Sequence, residues 1–319
     1  IREFERRKAA FRYSRSSESR VGTIDVNNLH KYRYDDQIFN TVTQLADGKN
    51  HGMIFYVDYS GSMGNVLGDV IDQTLHLVYF CKKIGIPFEV YSYTTRYNCG
   101  EGPEISDSNE ISLDSLMLNN IMSSSMSKSD FELGFQQLFF QTGKNNYYSN
   151  HGLSNMEQLG GTPLNAVIMV ANHHCNDFQK KHRVDKLNVI MLTDGDSEPA
   201  RCRDANNSIT TFEGKKINIS SHRHYTGGGS SKSYYARVDS QQETLLNLLR
   251  KKATVIGMYL PSSLNDAKRK LSLSEKGVDK LRTVYTKTKF INLPNVAGYD
   301  ALMILPYNIR IIDKDFQFS

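Results

Sequence analysis

Five consecutive apolar or aromatic residues, Met53-Ile54-Phe55-Tyr56-Val57, run directly into Asp58-Tyr59-Ser60-Gly61-Ser62. An unbroken run of this kind predicts a strand buried on both faces, as in a parallel sheet, and Gly61 and Gly64 give the backbone room to turn after it. From Val66 to Ile84 the apolar positions Val66, Leu67, Val70, Ile71, Leu75, Val78, Tyr79 and Cys81 recur at three- and four-residue steps, with Gly85 and Pro87 beyond them. That spacing predicts an amphipathic helix with a stop signal. Pro87 to Thr94 then has the β-branched and aromatic bias of a second strand, completing a strand, helix, strand unit.

Further along, Ile111 to Met117 fits either a strand or a short helix, and Asp130 opens a helix carrying Phe131, Leu133, Phe135, Leu138, Phe139 and Phe140. Gly160-Gly161-Thr162-Pro163-Leu164 opens another that continues through Ala171, with proline where a missing amide hydrogen costs nothing. Leu187 to Thr193 is a second strongly buried strand, and it ends in Asp194-Gly195-Asp196. Helix period returns at Gln241 to Lys252, a buried strand follows at Thr254 to Leu260, and a helix spans Ser274 to Lys287. A short strand at Lys289 to Leu293 and a short helix at Ala297 to Leu305 complete the series. Alternating strands and helices predict an α/β fold, a doubly wound and mostly parallel Rossmann-like sheet with helices on both faces. Two polar insertions interrupt it, at about residues 98–160 and 197–238, the second read as a long insertion or paired loops.

At 319 residues and 39% hydrophobic content the chain has enough apolar surface for a sizeable core. No apolar run approaches the roughly 20 residues of a membrane span. The opening Ile1-Arg2-Glu3-Phe4 has neither an initiator Met nor a signal peptide, so a fragment or processed form is expected. Cys81, Cys99, Cys175 and Cys202 are widely spread with no Cys-x-x-Cys spacing, which points away from a zinc ribbon or disulfide framework and toward a reducing cytoplasm. Net charge is only +5, but Arg2, Arg6, Arg7, Lys8, Arg12, Arg15 and Arg20 make a basic arm. A solvated or partner-docking arm is expected rather than a nucleic-acid surface, which needs a broader basic face. The predicted organisation is a basic arm and lead-in over 1–50, the α/β domain over 51–310, and a tail over 311–319.

In an open parallel sheet, ligands sit outside the carboxyl ends of the strands. Three polar clusters fall there: Asp58, Ser60 and Ser62 after the first strand, Thr162 at a helix start, and Asp194 after a later strand. Two carboxylates and three hydroxyls are hard oxygen donors suited to Mg2+, which takes about six oxygens at about 2.1 Å and keeps water where protein ligands are missing. Mn2+ is an alternative ion for the same donors. The bland alternative is that these side chains only cap helices.

In order and context these residues resemble the metal-ion-dependent adhesion site of von Willebrand factor A-type domains, whose pattern is Asp-x-Ser-x-Ser, then a distant Thr, then a distant Asp. The resemblance covers about Met53 to Leu260 and extends toward Leu305. It implies that Ser60, Ser62 and Thr162 contact the ion directly or nearly so, and that Asp58 and Asp194 act directly or through water. One coordination position is left for an acidic side chain of a protein partner. More narrowly, Leu29-His30-Lys31-Tyr32, Asp35-Asp36-Gln37-Ile38-Phe39 and Tyr93-Thr94-Thr95-Arg96 look like the C-terminal domain of the cobaltochelatase T subunit, a type also found in large tailed bacteriophages. Gly161-Thr162-Pro163-Leu164 departs from the chelatase pattern and matches the general A-type one.

What this resemblance implies is a cytoplasmic adaptor, in a bacterium or a phage-infected host cell, working beside an AAA+ ATPase of the MoxR class or its client. The alternative is a subunit of a cobalt- or magnesium-chelatase-like complex that inserts a metal into a tetrapyrrole. Intrinsic catalysis is not expected: there is no Gly-x-x-x-x-Gly-Lys-Ser/Thr loop, no His-Glu-x-x-His, and no base beside Ser60 or Ser62 in nearby sequence. His173-His174-Cys175 with Asp177 and His182 is weighed as a zinc site and set aside for helix positions near a C-terminal dipole.

Overall fold

The computed structural model describes residues 6, 17–19, 42–44, 51–95, 111–112, 116–142, 159–194, 197–198, 201–202, 209–218, 220–221, 241–260 and 291–305. The chain divides into two compact units, Ile1–Asn50 and His51–Ser319. In the first, Ser17–Ser19 pairs antiparallel with Val42–Gln44, so part of the polar run after the basic arm is a short strand. The helix expected at Ser274–Lys287 lies outside the described residues.

The second unit is built on seven strands: β1 (His51–Asp58), β2 (Phe88–Thr95), β3 (Leu116–Ser123), β4 (Lys186–Thr193), β5 (Thr254–Tyr259), β6 (Ile291–Pro294) and β7 (Ala301–Ile304). Their order across the sheet is β6-β7-β5-β4-β1-β2-β3. The five inner strands are parallel, and β3 and β6 run antiparallel at the two edges. This is the expected α/β, mostly parallel sheet. The chain runs outward from β1 to β2 and β3, then crosses to β4, runs on through β5 to the opposite edge at β6, and returns to place β7 between β5 and β6. The order therefore reverses between β1 and β4, and it is outside the carboxyl ends at such a switch point that open α/β sheets bind ligands.

Strand alternation assigns the helices to faces. Met53 on β1 meets Cys81 of α1 (Leu67–Ile84), with sulfurs 3.4 Å apart, so Met53, Phe55 and Val57 look toward α1. Ile54 and Tyr56 look the other way: the Tyr56 hydroxyl lies 3.0 Å from Nδ1 of His174 on α3 (Leu164–His182), and both pack in the main core cluster. Helix α1 buries Val70, Ile71, Leu75, Val78 and Cys81 at the predicted spacing. Ile71 or Leu75 cut to alanine would cost about 2–5 kcal/mol. Helix α2 (Lys128–Thr142) joins α1 on its face through Phe131, whose ring meets Phe88 edge-on and carries Lys82 Nζ above it. Helix α2 begins before Asp130 because the Ser127 hydroxyl accepts from the Asp130 amide and caps the first turn. Helix α4 (residues 241–249) adds Leu245, Leu246 and Leu249 to the α3 side. Helices thus cover both faces.

One open expectation is resolved, one is given detail and one is overturned. Ile111 to Met117 holds the start of a full edge strand, β3, and a separate two-residue strand at Ile111–Ser112. That short strand pairs antiparallel with Arg201–Cys202, which pairs in turn with Ser220–Ser221, so the two insertions are knitted to each other. The second insertion also contains a hairpin, Ile209–Phe212 with Lys215–Asn218, closed by Glu213-Gly214, both at positive φ. Its tip docks back on the helical layer through Phe212 against the His173 ring and Glu213 3.3 Å from Lys252. The short helix expected at Ala297–Leu305 is instead strand β7, parallel to β5. Its apolar run is too short for periodicity to decide. The residues before it decide the matter: Asn295, Ala297 and Gly298 all have positive φ, which turns the chain tightly after β6 and excludes a helical start there. The free edge of β5 then supplies the partner.

Candidate metal centre

Asp58 is the last residue of β1, and Asp194 follows the last residue of β4, its immediate neighbour. Parallel pairing of Val57 with Leu192 places both acids at the same end of the sheet, at the point where the strand order reverses. Thr193 Oγ1 donates to Asp58 Oδ2 at 2.7 Å, and the Ser60 amide donates to Asp58 Oδ1 at 2.9 Å. Past Asp58 the chain turns through a 3-10 segment, Gly61–Asn65, before α1. This turn brings the Ser60 and Ser62 hydroxyls to 3.1 Å from each other, and Ser62 Oγ donates to Asp194 Oδ1 at 3.0 Å. Four of the five residues singled out from sequence thus form one connected group.

Thr162 reaches the group through backbone. Ser60 and Gly160 form a parallel bridge, with the Gly61 amide donating to the Gly160 carbonyl at 2.8 Å and the Gly160 amide to the Tyr59 carbonyl at 3.2 Å. The amides of Gly160 and Gly161 also donate to Thr94 Oγ1 and Thr95 Oγ1, at 2.9 and 2.6 Å, tying the turn to the end of β2. At Gly160, where the obstacle is backbone, such close approach requires glycine. A Cβ on Gly160 would lie 2.1 Å from the Thr95 carbonyl oxygen, and one on Gly161 would lie 2.2 Å from Glu198 Oε1. Pro163 stands at the N-cap of α3, one residue ahead of the expected first helical position. The Thr162 side chain on this turn is buried, and among the described residues no hydrogen bond from its hydroxyl joins it to the other four.

The site has a buried floor and an open rim. Asp58, Ser60 and Thr162 are buried, Asp194 is half-buried and Ser62 is exposed. Burial, opposed by the hydrogen bonds of Thr193 and Ser60 and reinforced by the nearby charge of Asp194, pushes the Asp58 carboxyl up to about 7. Among the described residues no basic side chain pairs with it. A fully buried carboxylate with no counter-cation among the described residues, next to a second carboxylate and two hydroxyls, is a donor set that a hard divalent cation would neutralise. The residues present therefore fit the implied ion.

Sequence reading missed three residues here. Thr193 orients Asp58, and Ser197 and Glu198 return from the Asp194 loop to the Thr162 turn, where the Glu198 amide donates to the Thr162 carbonyl at 2.8 Å. The threonine ahead of Asp194 was visible in sequence as the strand end, but only the β1–β4 register reveals its partner. The His173-His174-Cys175 group is dispersed: His174 faces Tyr56, His173 meets Phe212, and Cys175 is fully buried. These histidines also sit mid-helix, short of the last turn of α3, which holds Lys180, Lys181 and His182. Among the described residues no group of three or more His, Cys, Asp or Glu is set to hold a metal, and no helix is long and apolar enough to cross a membrane. The candidate centre at Asp58 escapes the first description because three of its five candidate residues carry hydroxyls.

No family model matches the sequence, and no curated protein matches it. Among solved structures it is similar to the pilus adhesin SpaC from Lactobacillus rhamnosus GG, at 14% identity and a TM-score of 0.41 over 75% of this chain and 27% of that one. The open conformation of the same adhesin gives 13% and 0.41 over 82% and 28%. Proximal thread matrix protein 1 from the mussel byssus, solved with a zinc-occupied MIDAS motif, gives 11% and 0.30 over 77% of this chain and 49% of that one. The chain thus spans about a quarter to a half of the length of these proteins.

Proposed function

We propose that this chain is a metal-dependent protein-binding domain of the von Willebrand factor A type. Asp58, Ser60, Ser62, Thr162 and Asp194 hold a divalent cation, Mg2+ in the first instance, and an acidic side chain of a partner completes its shell. The observation that carries this reading is the convergence of Asp58, Ser60, Ser62 and Asp194 at the carboxyl ends of β1 and β4, with Ser62 and Asp194 joined across 132 positions of sequence. When bound, the cation supplies positive charge to a site otherwise made of carboxylates and hydroxyls.

The residues themselves do the rest. Thr193 and the Ser60 amide hold Asp58 in one orientation, so it needs no rearrangement to receive the ion. The exposed rim at Ser62 leaves an approach from solvent for a partner's carboxylate. With hydroxyls in place of further acids, the net charge around a bound divalent ion stays low enough to attract an anion.

For the partner we propose an AAA+ ATPase of the MoxR class or its client. This part rests on the sequence likeness to the cobaltochelatase T domain, which includes Tyr93-Thr94-Thr95 at the end of β2. The test is capture of partners from native-host or infected-cell lysate in Mg2+ and in EDTA, with wild type and Asp58→Ala compared by mass spectrometry. An AAA+ ATPase retained only by wild type in Mg2+ is the expected result. Equal retention in EDTA would show that the metal site is not the grip.

A further inference from the structure

We infer that Ser197, which belongs to none of the three motif elements, is a positioning residue of the metal centre: it clamps the Asp194 loop to the Thr162 turn. The inference rests on the metal-binding reading above and extends it to the support of the site. Only two residues separate Asp194 from Ser197, so fixing Ser197 limits where the Asp194 carboxylate can stand. Ser197 is fixed. It is 4% exposed, its Oγ accepts from the Asn165 amide at 3.0 Å, and the same hydroxyl donates to the Glu198 carbonyl at 2.9 Å.

Asn165 lies in the first turn of α3, whose amides have no intrahelical acceptor. Pro163 at the N-cap offers no side-chain acceptor, so a residue distant in sequence supplies the cap. One residue later the Glu198 amide donates to the carbonyl of Thr162 itself, at 2.8 Å. The clamp has a backing. Asn165 Nδ2 donates to Gln241 Oε1 at 2.7 Å, and Gln242 Nε2 donates to the Tyr299 hydroxyl at 3.1 Å, all buried, which ties the start of α4 to the same junction. Thus Ser60–Gly160 fixes the first loop to the Thr162 turn, Ser62–Asp194 fixes the first loop to the third, and Ser197–Asn165 closes the triangle.

A hydroxyl that merely caps a helix and one that positions a metal centre differ in what its removal does to metal affinity. The experiment titrates MgCl2 and MnCl2 into wild type, Ser197→Ala, Ser197→Cys, Leu249→Ala and Asp58→Ala, by calorimetry and by thermal unfolding against EDTA. Leu249 is a buried core residue of α4 and controls for general destabilisation. Ser197→Ala is expected to weaken divalent-ion affinity about tenfold or more, the scale set by losing a partner that orients a ligand. Ser197→Cys, which keeps the volume and a weak donor, falls between the two, and it carries the comparison if the alanine variant does not fold. Leu249→Ala lowers the midpoint in EDTA yet keeps wild-type affinity. Wild-type affinity in Ser197→Ala, or in Ser197→Cys should the alanine variant not fold, overturns the inference, as does an equal loss in Leu249→Ala. If wild type takes up no divalent ion, both the inference and the metal-binding reading fall.

Discussion

Two buried carboxylates, Asp58 and Glu89, sit at opposite ends of neighbouring strands and are treated in opposite ways. Glu89, near the start of β2, takes Lys181 Nζ at 2.8 Å and the Tyr91 hydroxyl at 2.8 Å, with His182 3.8 Å away. Burial works to raise its carboxyl, but Lys181, Tyr91 and His182 together hold it below the ordinary carboxylate value. Asp58, at the end of β1, has burial as the leading influence and no such cation among the described residues. A charge that serves the fold is neutralised within the chain. A charge left for an external cation is the mark of a site, and it is the contrast with Glu89, within the same sheet, that makes Asp58 informative.

That contrast can be broken most sharply at Asp58. Asp58→Asn is expected to abolish any Mg2+-dependent rise in unfolding midpoint and yet to stabilise the metal-free protein at pH 8, by as much as about 2–4 kcal/mol, because the buried charge is gone. Urea unfolding with Mg2+ and with EDTA measures both. A metal-free Asp58→Asn protein less stable than wild type would sink the account. Next in size, Gly160→Ala drives a methyl into the Thr95 carbonyl, a backbone atom that cannot step aside. It should cost about 2–3 kcal/mol and remove Mg2+ binding together with stability.

Glu89→Gln is the mirror experiment. It should destabilise the protein by about 1–2 kcal/mol in Mg2+ and EDTA alike, because Lys181 loses its partner while the metal centre is untouched. A Mg2+-dependent difference there would erase the distinction between the two acids. The pH profile separates them more finely. Asp58 has a folded value of about 7 against an ordinary 3.8, so the folded state holds its proton more tightly and metal-free stability falls as pH rises through that window. Glu89 has the reverse sign: its contribution is complete above its ordinary value of 4.5 and is lost as pH falls through the lowered folded value. Unfolding midpoints in EDTA from pH 3 to 8 should show both slopes in wild type and only the acid-side slope in Asp58→Asn.

The sheet was legible where sequence carries long runs. Met53 to Val57 and Leu187 to Thr193 have a continuous apolar character that only a strand buried on both faces explains, and α1 repeats its buried positions over many turns. Four of the five candidate residues could be placed for a related reason: Asp58, Ser60, Ser62 and Asp194 follow strongly apolar strands, so their end of the sheet could be assigned, whereas Thr162 was placed by the helix it precedes. Short runs failed. Ala301 to Ile304 reads equally as helix or strand, and only the turn at Asn295–Gly298 and the open edge of β5 settle it. Ser197 was out of reach because its partner, the Asn165 amide, is 32 positions away and carries no side-chain signature.

Strand β1 lies two strands in from the β3 edge of the seven and is hydrogen-bonded along both sides, to β2 and to β4. Its amides can exchange with solvent only when the whole sheet comes apart, whereas the exposed turn at Ser62 can open locally. The floor of the centre should therefore behave as part of the slowest-exchanging unit of the molecule, and its rim as one of the faster. A partner's carboxylate would meet a receptor whose deep half is already ordered, so association would lose little entropy to building the site and would be limited by the motion of a single short turn.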